Sequence, residues 1–129
     1  MKYMILVYGS QPDYDSMAGP ATSAEELNAI GEFLAEFTGE LAASGELLDT
    51  QGLATPVLAR RVRLRDGVPV VTDGPFAETE EVIAGYWIVD CVSFDRATEL
   101  AVRLNKAPGR IADAGVVIRP VMGADYDTD

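Results

Sequence analysis

Apolar and polar positions along this chain follow two rhythms, and the places where one gives way to the other mark the elements. From Lys2 to Tyr8 the chain is apolar almost without interruption and carries Tyr, Ile and Val, which predicts a strand covered on both faces. Gly9 to Thr22 breaks the pattern with Pro12, Gly19, Pro20 and several Ser, Thr and Asp residues. It is expected as a loop, of a length that also suits a flap over a pocket. Ser23-Ala24-Glu25-Glu26 then reads as a capping box. Behind it Leu27, Ile30, Leu34, Phe37 and Leu41 recur at helical spacing, joined by Phe33, with Glu25, Glu32, Glu36 and Glu40 on the wetter side. Gly45 is the expected stop after Ser44.

Beyond that helix the period shortens to two. Glu46 to Thr50 predicts a short strand and Gln51 to Val57 an irregular link. Arg60-Arg61-Val62-Arg63-Leu64-Arg65 alternates strictly, Asp66-Gly67 is a strong hairpin turn, and Val68 to Thr72 returns, with Pro69 arguing for an edge. Arg61, Arg63 and Arg65 fall on one face, either a solvated strip or one turned to an anion or a second subunit. Ile83 to Val92 predicts a further strand with Tyr86 and Trp87 on opposite faces. Ser93 caps a second helix whose buried stripe is Ala97, Leu100, Ala101 and Leu104. Lys106 to Gly109 ends it, Val116 to Val121 is a last strand, and residues 123–129 form an acidic tail behind a single domain over 1–122.

This order predicts an α+β fold: a ferredoxin-like βαββαβ plan, its antiparallel sheet carrying two helices on one face. The other face is then bare, although the first strand is apolar on both sides. With no helix left to cover it, a second copy packed sheet against sheet is the economical solution, so a homodimer is expected.

Composition narrows the chemistry. The 129 residues contain ten Lys and Arg against 21 Asp and Glu, a formal net charge of −11. That field repels phosphate backbones, so no nucleic-acid partner is expected. No apolar run approaches the roughly 20 residues that cross a bilayer, and the N-terminus reads as a strand rather than a signal peptide. No membrane association is therefore expected, and a cytoplasmic location is. The chain has no histidine, which removes Ser-His and Cys-His pairs and imidazole bases. The lone Cys91 lies in an apolar run and is expected buried and inert.

The densest concentration of chemistry is Asp73-Gly74-Pro75-Phe76-Ala77-Glu78-Thr79-Glu80-Glu81, between two strand-like runs. One reading is purely structural: Asp73 caps the turn, Gly74 and Pro75 bend it, and Phe76 anchors it. The functional reading places Asp73 and Glu78 in a cleft with aromatic walls from Tyr8 or Tyr86. The candidate ligand-binding set is then Tyr8, Asp73, Gly74, Pro75, Phe76, Glu78 and Tyr86, with Asp73 the candidate catalytic base. The carboxylates match no known cation loop, so neither a metal nor a cofactor is expected.

Met1-Lys2-Tyr3-Met4-Ile5-Leu6-Val7-Tyr8-Gly9, Val62-Arg63-Leu64-Arg65-Asp66-Gly67, Val71 to Thr79, Gly85-Tyr86-Trp87 and Ile118-Arg119-Pro120-Val121 together resemble the DGPF, or YCII-related, family of small bacterial proteins. The resemblance spans nearly the whole chain in order, and it implies a ferredoxin-like fold assembled as a dimeric α/β barrel. It implies little about activity. Some members are encoded beside extracytoplasmic-function sigma factors, and one relative is a dehydrochlorinase in chloroaromatic breakdown. The His-Asp pair ascribed to YCII proteins does not carry over to a chain without histidine, and Glu80 stands where members commonly have lysine. Three readings stay open. The first is a dimeric protein binding a small molecule near the Asp-Gly-Pro-Phe loop, with a role accessory to sigma-factor regulation as its extension. The second is a lyase or dehydrochlorinase-like enzyme using Asp73. The third is a structural or partner-binding module.

Overall fold

The computed structural model describes residues 1–74, 77 and 80–123. The long apolar run becomes β1 (Lys2–Gly9), at the interior of a four-stranded sheet. Its neighbours are β5 (Val82–Asp90) and β6 (Val116–Pro120), and β2 (Leu47–Gly52) lies outside β5. The order β2-β5-β1-β6 is antiparallel throughout and compatible with a ferredoxin-like fold. Two helices, α2 (Ala24–Ser44) and α3 (Phe94–Leu104), cover one face. β3 (Arg60–Arg65) and β4 (Val68–Asp73) pair only with each other, as a separate hairpin inserted between β2 and β5.

Alternation along the strands sorts the two faces. Tyr3, Ile5 and Val7 of β1 and Trp87 and Val89 of β5 meet Phe37 and Leu41 of α2 and Ala97, Leu100, Ala101 and Leu104 of α3. The whole stripe expected on α3 is therefore buried. On α2 the stripe is narrower than its spacing predicts: Ile30, Phe37 and Leu41 are buried, but Leu27 is 41% exposed because it precedes the region covered by the sheet. Phe37 meets Trp87 edge-on with centroids 5.5 Å apart, a favourable aromatic geometry. Across the sheet's other face run two rows, Gln51–Tyr86–Leu6–Val117 and Asp49–Ile88–Met4–Arg119.

The helix ends show which signals the backbone used. The Ser23 hydroxyl accepts from the Glu26 N–H at 3.1 Å; the reciprocal bond from Glu26 that the motif predicts does not form. Gly45 closes α2, its N–H reaching the Ala42 carbonyl while Glu46 N–H reaches Leu41. Ser93 caps α3 through the Arg96 N–H at 3.1 Å. Arg96 then grips Glu46 through Nε at 3.0 Å and Nη2 at 2.9 Å, pinning α3 to the start of β2. That guanidinium holds the Glu46 carboxyl below its ordinary value. Asp66 and Gly67 take φ of 51° and 78°, the positive pair that a type I′ turn demands.

The first connection departs from expectation. Residues 9–22, expected as a loop, contain a third helix, α1 (Gln11–Ala18). No helix among the described residues is long and apolar enough to cross a membrane. Cys91 is buried, and burial pushes its thiol pKa up.

Candidate functional site

α1 is built from local polar chemistry. Ser10 is its N-cap, Pro12 fits the first turn, and Asp13 occupies the third helical position. The Asp13 carboxylate accepts from the Ser10 N–H at 2.9 Å and from its hydroxyl at 3.0 Å, and the Asp13 N–H returns a longer bond to the hydroxyl at 3.4 Å. None of the eight helix residues is buried, so apolar burial does not hold it in place. Three polar ties do. Gln11 Oε1 accepts from the Thr55 hydroxyl at 2.7 Å and the Val57 N–H at 3.0 Å. The Tyr14 hydroxyl donates to the Leu53 carbonyl at 2.9 Å, and Arg110, in the connection after α3, pairs with Asp13 at 3.3 Å.

Beneath α1 lies a pocket of about 320 Å³, between Tyr14 and Met17 of α1, Leu34 and Thr38 of α2, and the ends of β1, β2 and β5. The size falls within the range of small-molecule sites, about 300–1,000 Å³. Gly85 in its wall sits at a close approach: a Cβ there would stand 3.1 Å from the Gln51 carbonyl oxygen across the ladder, so any other residue would press the two strands apart. Val7, Leu34, Leu53, Ala84, Trp87 and Ile111 make the walls apolar.

Most of its polar side chains are already engaged; Tyr8 and Gln51 are the exceptions among the lining residues. Trp87 Nε1 donates to Thr38 Oγ1 at 3.0 Å, and the Thr50 hydroxyl donates to the Tyr86 carbonyl at 2.9 Å. The backbone N–H of Ser10 is the largest influence holding the Asp13 carboxyl below its ordinary value; partial burial opposes it, and the Ser10 hydroxyl and Arg110 reinforce it. Burial pushes the Tyr14 phenol up, which keeps it neutral at physiological pH. No buried side-chain polar atom among the described residues lacks a partner. The pocket thus offers shape and apolar contact, with its one ion pair closed on itself. It holds no nucleophile–base pair among the described residues.

The residues singled out in the sequence are spread over three places. Tyr8 lines this pocket, and also a groove of about 560 Å³ that includes Pro56, Leu58, Val82 and Ile83. Tyr86 lies on the uncovered face of the sheet and donates to Asp49 at 2.9 Å. That bond raises the pKa of its phenol. Asp73 ends β4, its side chain 79% exposed, and pairs with Arg60 at 3.0 Å. Gly74 donates its N–H to the Ala59 carbonyl at 2.8 Å. Pro75, Phe76 and Glu78 lie outside the described residues, as do residues 124–129. No group of three or more Cys, Asp or Glu placed to hold a metal ion occurs among the described residues.

Asp13, Tyr14, Thr38, Trp87 and Arg110 are the pocket residues that sequence reasoning did not assemble. Ser10-x-x-Asp13 with Pro12 between them is a usable helix-start signal. Nothing local marks Thr38 or Arg110.

Two comparisons with known proteins bear on this site. The YCII-related domain family matches residues 1–121, which take in every wall of the pocket. A protein of Rhizobium meliloti, described only as uncharacterized, is 32% identical over 107 residues, covering 83% of this chain and 82% of that one.

Proposed function

Since the chain belongs to the YCII-related domain family, whose name assigns no reaction, we propose from the pocket itself that it is a small dimeric binding protein. Its ligand is a neutral, mainly apolar small molecule held beneath α1. One observation carries the reading: a mainly apolar pocket of about 320 Å³ whose one charged pair, Asp13 and Arg110, is closed on itself, leaving no uncompensated charge for an ionic ligand to meet. α1 serves as its cover, held by polar ties that can break and reform without exposing a core. The second copy is suggested by the helix-free face of the sheet, whose middle is apolar with Met4, Leu6, Ile88 and Val117 and whose margins carry Asp49, Gln51 and Arg119.

The lyase reading has no comparable support. Asp73 stands in water at the foot of the hairpin, paired with Arg60, and lines neither the pocket nor the groove. No feature of the pocket points to a sigma-factor partner, so the proposal stops at binding.

Calorimetric titration with naphthol and with naphthalenesulfonate, alike in ring size but unlike in charge, tests it. Naphthol is expected to bind saturably and the sulfonate at least about tenfold more weakly, a difference near 1.4 kcal/mol. Ala84→Leu, which narrows the pocket, should weaken naphthol binding at least about tenfold. If neither compound binds, the pocket is not a ligand site. If the sulfonate binds as well as naphthol, the ligand is not selected for neutrality.

A further inference from the structure

We propose that the β3–β4 hairpin is an arm that docks onto a second copy of this chain, its arginines meeting the acidic body of that copy. The inference rests on the dimer put forward above and adds the surface that secures it.

The hairpin is out of place as a free element. A lone two-stranded ribbon is marginal in water and needs a third strand or a packed face. Here no residue of either strand is buried, and neither strand pairs with the main sheet. Opposite residues share a face. One face therefore holds the apolar pairs Val62–Val71 and Leu64–Pro69, and Val62, Leu64 and Val71 are each more than half exposed. The other face sets Arg61, Arg63 and Arg65 against Thr72, Val70 and Val68. The apolar surface also continues inward: Ala59, next to the first strand of the arm, lines the same groove as Leu58, Ile83 and Tyr8.

Charge selects the occupant. Segment 60–73 holds four of the ten cations and two of the 21 carboxylates, while the rest of the chain carries six cations against 19 carboxylates. The arm is a positive element on a strongly negative body. A nucleic acid reaching the arm would be repelled by that body. A second copy offers the complementary charge in that excess of carboxylates, and no carboxylate among the described residues pairs with Arg63 or Arg65. In a two-fold pair both arms engage at once. The mutual repulsion of two acidic chains is screened beyond about 8–10 Å at ordinary salt, so the close contacts of the arms prevail.

Sedimentation equilibrium of the full chain tests this with two variants, Arg63→Glu/Arg65→Glu and Val62→Ser/Leu64→Ser, each checked for an unchanged circular dichroism spectrum. The wild type is expected to be a dimer, and each variant to weaken it at least about tenfold. Raising salt should weaken the wild type more than the charge-reversed variant. If both variants dimerise like the wild type, the arm inference is overturned while the dimer stands, and the arginines only keep strand edges from aggregating. A wild type that stays monomeric at high micromolar concentration overturns both. Binding of a DNA duplex that is lost in the charge-reversed variant, with dimerisation intact, would overturn it in favour of a nucleic-acid partner.

Discussion

A single carboxylate, that of Asp13, closes the N-terminal cap of α1 and ties that helix to Arg110 at the pocket edge. Its folded pKa is lowered, so its stabilising effect is complete above the ordinary aspartate pKa of about 4 and is lost as pH falls through the lower folded value. Glu46, held down by Arg96, acts with the same sign on the body of the protein. Acid is therefore expected to loosen α1. Asp13→Ala should produce the same loosening already at neutral pH, at a cost of about 1 kcal/mol typical of a lost cap. Hydrogen exchange of residues 11–18 against pH checks it. The wild type should lose protection below about pH 4, and the variant should show a flat, low profile. Equal acid sensitivity in both would mean that another group controls the helix.

At the level of elements, the contrast is between helices fixed by burial and a helix fixed by ties. α3 buries four apolar residues and Arg96 pins its start, whereas α1 buries none. Gln11 links α1 to the segment after β2 through two accepted hydrogen bonds. Each such bond contributes about 0.5–1.5 kcal/mol. Gln11→Ala should therefore raise hydrogen exchange in residues 11–18 and 53–58 together, leaving α2 and α3 protected. A uniform rise across the chain would show that α1 is part of the global folding unit instead of a local cover. The same contrast explains what could be read in advance. β1, α2, the hairpin and α3 were legible because burial imposes a period on their residues. α1 was not, because Pro12, Asp13, Asp15 and Ser16 look like a loop when the partners that hold the helix lie at Leu53, Thr55, Val57 and Arg110. The pocket was hidden for a related reason, since its walls come from five elements and the connection after α3. The Asp73 stretch drew attention through its composition, but Asp73 itself sits outside the pocket, paired with Arg60.

For the molecule as a whole, the decisive asymmetry is between the two faces of one sheet. The covered face is closed by α2 and α3 and forms one wall of the pocket; the other carries Leu6, Tyr86, Ile88 and Val117 with no helix over it. Leu6 is only 3% exposed, while Val117, on the outer strand of the same row, is 40% exposed. Val117 is thus the position where a change would meet the proposed partner before it meets the core. Val117→Lys places a charge in the proposed contact, where a buried ion without a counter-ion costs several kcal/mol. It should leave the thermal midpoint of the monomer nearly unchanged, since surface positions usually shift stability by less than about 0.5 kcal/mol. Sedimentation should show the dimer weakened at least about tenfold. Naphthol binding should persist, because Val117 points away from the face that holds Trp87. The combination of a broken dimer and an intact pocket would establish that the two faces work separately. If Val117→Lys remains a dimer while the hairpin variants dissociate, the arm alone holds the copies together and the sheet face is not the interface.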